Sequence, residues 1–385
     1  MKNLICKYQN YHTEVVGKIT FKHHLFKCND FIFVSPKAIT TSRYAAVITD
    51  DLSKVKSTSV ICICEHNKLN EFNEGDIVVL GKNGVITFVY EINATQNVIM
   101  ITEKCNHKCI MCPQPPVNKE ESKLSFNLRL ISLMDKKNKR EIGLSGGEPT
   151  AIGDDLITIM KAIKKQCPNA PVTMLTNGVM LSNFKYAYKI ASCGIRDLQV
   201  DIPLYSDIPS IHNYIVGAQT FYKSVQALYN LAQLGVRIGI RIVVMKNNCN
   251  RLVKLADYIY HNFPFVSQIA FMQMEFHGNA KVNFKDLWVD PYDYKNELKE
   301  AVLLLNDRDM SPMIYNSQLC VLPKEIREFA IQSISGWKDI YIPECEGCIA
   351  KGKCAGFFVP NNKYHSSKIL LFSLEFLFSS SGVYT

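Results

Sequence analysis

Cys105, Cys109 and Cys112 form a C-x3-C-x2-C triplet in the run CNHKCIMC, directly after the apolar segment 98–102. Closely spaced thiolates select soft metal centres, namely iron–sulfur clusters, zinc or Cu(I). A [4Fe–4S] cube takes four ligands, so three cysteines leave one iron with an open position where a small molecule can bind and react. Zinc is the competing reading, with His107 as fourth ligand. A closed zinc site normally joins two separated ligand pairs, whereas this triplet lies on one short loop. A second set lies far downstream: Cys320, then Cys345, Cys348 and Cys354 in C-x2-C-x5-C spacing. Four thiolates can close a [4Fe–4S] cluster completely, which suits electron relay or structure. A four-cysteine zinc site is the alternative there.

A further string, Gly146-Gly147-Glu148-Pro149-Thr150, follows a segment that reads as a strand. Paired glycines let backbone approach a ligand closely, and proline stiffens the turn. Alone, the string is an ordinary strand–helix loop. It gains meaning by standing one strand after the cysteine triplet, in the same topological position.

The elements that position these loops are legible in outline. Residues 1–94 read as a small β domain, with strands at 15–21, 31–34, 45–49 and 59–64. A hairpin turns at Lys82-Asn83-Gly84, where glycine supplies positive φ. Cys62 and Cys64 fall two apart, as on one face of a packed strand. Cys6, Cys28, Cys167, Cys193 and Cys249 are scattered and read as small core or surface residues. From 95 to 285 strands and helices alternate, which predicts a parallel sheet. Asp154 is the expected N-cap of the helix after the Gly-Gly-Glu-Pro turn. Six strand units fall short of the eight of a closed barrel, so the fold class is α/β with an open partial (βα)6 barrel of TIM type. Functional residues then belong at strand C-termini, where Cys105, Gly146 and Asn177 lie. Residues 286–369 read as a cysteine-rich C-terminal extension, with a helix at 291–305 and a strand at 313–315. The apolar run 369–378 contains Glu375 and is too short for a membrane anchor.

With both cysteine sets and GGEPT in place, the chain resembles a radical S-adenosylmethionine (SAM) enzyme. The resemblance implies that Cys105, Cys109 and Cys112 hold a [4Fe–4S] cluster whose open iron chelates SAM. Gly146, Gly147, Glu148 and Pro149 would then line the cofactor pocket, the motif contacting the SAM amino group. One electron from the cluster cleaves the sulfonium to a 5′-deoxyadenosyl radical, which abstracts hydrogen from substrate. Asn177, Asp201 and Arg241 stand where the superfamily often contacts the ribose or carboxylate, and a structural polar role is the alternative for each. The distal set resembles the auxiliary-cluster (SPASM or twitch-like) segments of radical enzymes that modify peptides, implying a second [4Fe–4S] cluster.

A finer resemblance is to the His-Xaa-Ser system radical SAM maturase HxsC family. It rests on CNHKCIMCPQPP, VDIPLYSDIPSIHNYIVGA, LWVDPYDY, IYNSQLCVLP and WKDIYIPECEGCIAKGKCAGFF followed by Tyr364-His365-Ser366. That family implies a peptide maturase acting on a ribosomally made peptide with His-Xaa-Ser repeats. It also implies a second radical SAM maturase, a small accessory protein, and a flavodoxin- or ferredoxin-type electron donor. The N-terminal β domain is an expected peptide-recognition surface through an exposed strand edge. Tyr205, His212, Glu275 and His277 lie near strand ends and could face substrate, with packing or solvation as the alternative. The tail 370–385 departs from the family pattern and receives no role.

Composition narrows the remaining classes. The chain has 385 residues, 47% hydrophobic and 21% charged, as in a globular protein. Its fourteen cysteines occur without a signal-peptide h-region, so reduced thiols in a cytoplasmic setting are expected. The net charge of +9 is dispersed lysine without a basic stripe interleaved with aromatics, so neither nucleic acid nor membrane is an expected partner. A radical SAM enzyme acting on RNA or a small metabolite, and a zinc-binding scaffold protein, are the alternatives.

Overall fold

The structure, a computed structural model, describes residues 2–6, 8–9, 13–23, 28–36, 44–51, 61–117, 122–332, 340–357 and 364–372. The first part is one mixed sheet of β1 (Asn3–Ile5), β2 (Tyr8–Gln9), β3 (Val15–Thr20), β4 (Cys28–Val34), β5 (Tyr44–Thr49), β6 (Ile61–Ile63), β7 (Ile77–Leu80) and β8 (Val85–Tyr90). The strand order is β1-β8-β7-β3-β4-β5-β6-β2, which leaves β1 and β2 at the edges. The expected hairpin joins β7 to β8, with Gly84 at φ +80. Strands β1 and β2, of three and two residues, carry too little pattern to be read from sequence. Cys64 follows β6 and is buried, and burial pushes its thiol up to about 11. The side chain of Cys62 lies outside the described residues. Cys6 is disulfide-bonded rather than a simple buried or surface thiol.

The second part alternates. Its elements are β9 (Gln96–Met100), α1 (Leu124–Leu133), β10 (Glu141–Ser145), α2 (Asp154–Gln166), β11 (Val172–Leu175), α3 (Phe184–Ala191), β12 (Leu198–Pro203), α4 (Pro209–Val216), α5 (Phe221–Gln233), β13 (Arg237–Val244), α6 (Leu252–Asn262), β14 (Gln268–Gln273), α7 (Gly278–Val282), α8 (Phe284–Leu287), α9 (Lys295–Asn306), β15 (Pro312–Tyr315) and β16 (Ala330–Ile331). Strands β9 to β16 stand side by side in chain order, every neighbouring pair parallel, and β9 does not meet β16. This is the expected open barrel of the α/β class, carried two strands further by β15 and β16. The sheet therefore runs past residue 285 into the cysteine-rich extension. Asp154 is the first residue of α2 rather than its cap; Gly153, at φ +59, caps it. An acidic first turn still favours the helix dipole.

The barrel core lies between sheet and helices. Ile142, Leu144, Val200, Ile202, Ile240 and Ile242 point outward into it and are fully buried. Their alternates, among them Gln199, Asp201, Arg241 and Met272, line the concave face, because strand side chains alternate. The N-terminal sheet shares this core: Ile77 and Tyr90 belong to the same buried cluster as the barrel strands. Arg129 on α1 pairs with Asp30 at 2.6 Å, and the Asn97 side chain bonds the Glu91 backbone at both its amide and its carbonyl. Among the described residues no helix is long and apolar enough to cross a membrane.

Candidate functional site

The cysteine loop leaves β9 and is clamped by three elements. The turn after β10 is the first: Gly147 N donates to Thr102 O at 2.8 Å, and Glu148 N to Lys104 O at 2.7 Å. A Cβ on Gly146 would collide with Thr102 O, and one on Gly147 with Lys104 O. The paired glycines thus serve a backbone-on-backbone approach between two loops of the chain itself. The end of α4 is the second clamp, with Lys108 N donating to Val216 O and Ile110 N to Ile215 O. The third comes from α7 and its flanks. Asn279 Nδ2 donates to Cys109 O at 2.9 Å, Asn283 Nδ2 to Ile110 O at 2.8 Å, and Asn279 N to Cys112 O at 2.9 Å. Asn279 and Asn283 escaped sequence reasoning because they lie some 170 residues beyond the loop they hold.

Glu148 is 1% exposed, and its carboxylate accepts four hydrogen bonds. Thr150 N, Thr150 Oγ1 and Thr176 Oγ1 bond Oε1 at 2.9, 2.6 and 2.6 Å, and Asn177 N bonds Oε2 at 2.6 Å. Burial raises its pKa, and these donors pull it back. Four bonds are about what a carboxylate can accept, so Glu148 ties the β10 turn to the end of β11. Pro149 opens the short 3₁₀ turn Pro149–Ile152 that follows. Asn177 is equally engaged: Nδ2 donates to Asn106 Oδ1 at 2.6 Å and Oδ1 accepts from Val179 N at 3.0 Å. The chain Glu148–Asn177–Asn106 therefore reaches the cysteine loop from β11.

The thiols of Cys105, Cys109 and Cys112 are half-buried neighbours. Burial, then the charges of Cys112 and Cys105, push Cys109 up to about 12. Burial also raises Cys105 and Cys112. Such crowding disfavours three thiolates unless a cationic centre compensates them. His107 is 3% exposed with Nε2 3.0 Å from Thr220 Oγ1, and burial lowers its pKa to about 4. The contact with Thr220 engages Nε2 alone, while Nδ1 is buried without a hydrogen-bond partner.

Deeper in the lumen, Asp201 accepts from Gln199 Nε2 at 2.9 Å and is 8% exposed. Burial raises its pKa, while the Arg241 charge lowers it. Gly239, its partner on β13, has no side chain, which leaves the carboxylate its space. Arg241 donates to Met272 Sδ at 3.2 Å. Tyr205 and His212 do not line the lumen as substrate-facing groups: they stack on each other, 8% and 0% exposed. Glu275 is half-buried and His277 exposed, on the segment that enters α7.

The distal thiols are also brought together. Cys320, Cys345, Cys348 and Cys354 line one pocket with Tyr341. Cys320 senses the charges of Cys354 and Cys345, and Cys345 those of Cys354 and Cys348. Tyr341 Oη lies 2.8 Å from Lys351 O and 3.1 Å from Cys354 O and shares its one hydrogen between them, holding the C-x2-C-x5-C turns in shape. Among the described residues no group of three or more His, Cys, Asp or Glu side chains is drawn together tightly enough for a single metal ion.

An open parallel barrel with thiols on the first loop and a Gly-Gly-Glu-Pro turn on the second defines a class of cofactor-dependent proteins. Residues 99–259 match the family model described as the radical SAM superfamily. The match implies a [4Fe–4S] cluster and SAM as its cofactors, and the crowded triplet fits the cluster. A GTP 3′,8-cyclase of Sulfurimonas denitrificans is 26% identical over 184 residues, 46% of this chain and 56% of that protein. The GTP 3′,8-cyclase of Petrotoga mobilis is 26% identical over 212 residues, 53% of this chain and 62% of that protein. The chain thus spans 56% and 62% of the length of these two curated relatives. Among solved structures, anSMEcpe with bound AdoMet and a Kp18Cys peptide aligns with a TM-score of 0.49 and 17% identity, over 74% of this chain and 94% of that one. Streptococcus suis SuiB bound to its precursor peptide SuiA aligns at 0.45 and 15%, over 57% of this chain and 48% of that one.

Proposed function

We propose that the protein is a radical SAM peptide maturase with two [4Fe–4S] centres. Cys105, Cys109 and Cys112 would hold the catalytic cluster, and Cys320, Cys345, Cys348 and Cys354 an auxiliary one. When bound, the first cluster supplies the electron that cleaves SAM to the hydrogen-abstracting 5′-deoxyadenosyl radical. The chain's own part is positional. Asn279, Asn283 and the α4 carbonyls fix the cysteine loop, while Glu148 and Asn177 fix the turn facing it. Three of the four bonds fall on Glu148 Oε1 and one on Oε2, so Oε2 and the backbone groups of the 146–149 turn are what remain for the SAM amino group. Asp201 and Arg241 stand in the lumen for the ribose and carboxylate.

The substrate reading is a ribosomally made peptide with His-Xaa-Ser repeats, alongside a second radical SAM maturase, a small accessory protein and a flavodoxin- or ferredoxin-type donor in the cytoplasm. The observation that carries it is the gathering of four distal thiols in one cavity beyond the 99–259 segment. The open edge of β1 offers a peptide a strand to pair with. A second reading, cyclisation of a purine nucleotide, is favoured by the curated relatives named GTP 3′,8-cyclase.

Anaerobic reconstitution is the test. About eight irons per chain and absorbance near ~400 nm are expected for two clusters. With SAM and a reductant, a His-Xaa-Ser peptide is expected to change mass while GTP is returned unchanged. Zinc without iron would end both readings, and conversion of GTP would select the second.

A further inference from the structure

The four-thiol cavity has a wall that the cysteine spacing does not reveal. Leu370, Leu371 and Phe372 line it together with the thiols. The Leu370 amide donates to Cys320, and Phe372 N lies 3.5 Å from Cys348 Sγ, so two of the four sulfurs receive backbone N–H groups from this segment. Ile349 N donates to Phe372 O at 3.0 Å, fastening the segment to the turn after Cys348. The Phe372 ring is 7% exposed under the Arg327 guanidinium, 4.7 Å from its centroid. Arg327 in turn holds the Cys320 turn through Leu319 O and Leu322 O, both at 3.1 Å, and its charge acts on Cys320. The root is anchored as well. Tyr364 packs on Phe284 at 4.8 Å, and Ser366, fully buried, accepts from Lys368 N.

We propose that residues 370–372 are the lid of the distal centre: they close it against solvent and supply N–H donors to two of its sulfurs. The proposal rests on the reading that these four thiolates hold a [4Fe–4S] cluster. A fully ligated cube carries net negative charge on its sulfurs, and N–H donors with a nearby guanidinium stabilise that charge where water is excluded. The apolar start of the tail is then a component of the site rather than an appendage.

The test uses the variant C105A/C109A/C112A, so that bound iron reports the distal centre alone. Truncation after Phe372 keeps the lid, and truncation after Lys368 removes it. The first is expected to lose iron to a chelator at the parent rate, and the second about 10-fold faster or more, the scale of losing groups that support metal ligands. F372A, which strips the ring from Arg327 but keeps both amides, is expected between them. Equal rates in the two truncations overturn the lid. Should the triple variant bind no iron, the cluster reading is what fails. The lid is then read on the metal-free protein by alkylation of Cys320 and Cys348, expected about 10-fold faster after truncation at Lys368 because thiol reactivity follows access. Equal alkylation overturns it.

Discussion

Glu148 shows what a buried charge does when its own chain surrounds it. Its sequence context singled it out as facing a cofactor, but its partners Thr150, Thr176 and Asn177 were hidden, since Thr176 lies 28 residues away. In E148Q, whichever way the amide turns, one N–H faces a backbone donor, either Thr150 N or Asn177 N. Stability of the metal-free protein is expected to drop by about 2 kcal/mol in urea unfolding, the scale of a hydrogen bond to a charged group. A variant as stable as the parent would mean that desolvation of the charge cancels its bonds. His107 and His212 give a second residue-scale prediction. Burial lowers both to about 4, against about 6.5 in an unfolded chain. His212 is enclosed by Tyr205 and Phe221, with His107 as the titratable group that acts on it. Between these pKa values the unfolded chain binds protons that the fold refuses. Stability is therefore expected to be independent of these rings above pH ~6.5 and to fall as pH drops towards ~4, by up to about 1.4 kcal/mol per pH unit for each ring. Denaturant midpoints at pH 7 and pH 5 measure this. H212F should remove one ring's share of the slope, and an unchanged slope would exclude His212 as its source.

Elements were legible where pattern is dense. The strands β10 to β14 carry apolar runs flanked by helical periodicity, and that alternation is what predicts the parallel sheet. Helix α4 was missed although Pro209 opens it and Gly217, at φ +64, ends it, because eight residues give little periodicity. Helix α1 was missed because its apolar residues follow a polar loop without a capping side chain. Loops were the hardest to read. The paired glycines suggested approach to a ligand, while the structure has the β10 turn lying on the cysteine loop. That contact makes G147A a sharp probe of the element. The added Cβ collides with Lys104 O, which is backbone and cannot rotate away, so the cysteine loop must shift relative to β10. After reconstitution G147A is expected to lose about four of about eight irons and keep the distal set, with a lowered urea midpoint but a still cooperative unfolding transition. Loss of all iron would place the defect in the fold rather than in the loop.

At the scale of the molecule, the N-terminal sheet cannot simply be removed to ask whether it binds peptide. Ile77 and Tyr90 are buried in the barrel's core cluster, and Asp76, fully buried, accepts from Ile92 N at 2.8 Å where the sheet hands over to β9. Deleting residues 1–94 would strip apolar cover from the barrel and confound recognition with stability. The edge strand β1 allows a cleaner experiment. Phe88 N donates to Lys2 O, and Cys6 N to Gly84 O. In an antiparallel pair, bonded residues alternate with residues that point their backbone groups away. With Leu4 opposite Ile86, the amides of Asn3 and Ile5 therefore face away from β8. Proline is tolerated at such edge positions because the N–H it removes bonds nothing within the sheet. If a peptide pairs with this edge, I5P is expected to weaken its binding by about 10-fold, the equivalent of about 1.4 kcal/mol, in a titration followed by calorimetry. Uncoupled SAM cleavage and the unfolding midpoint should stay at parent levels, since Ile5 is 76% exposed and far in sequence from the cysteine loop. Unchanged peptide affinity in both N3P and I5P would remove β1 as the docking edge and move recognition to the barrel mouth.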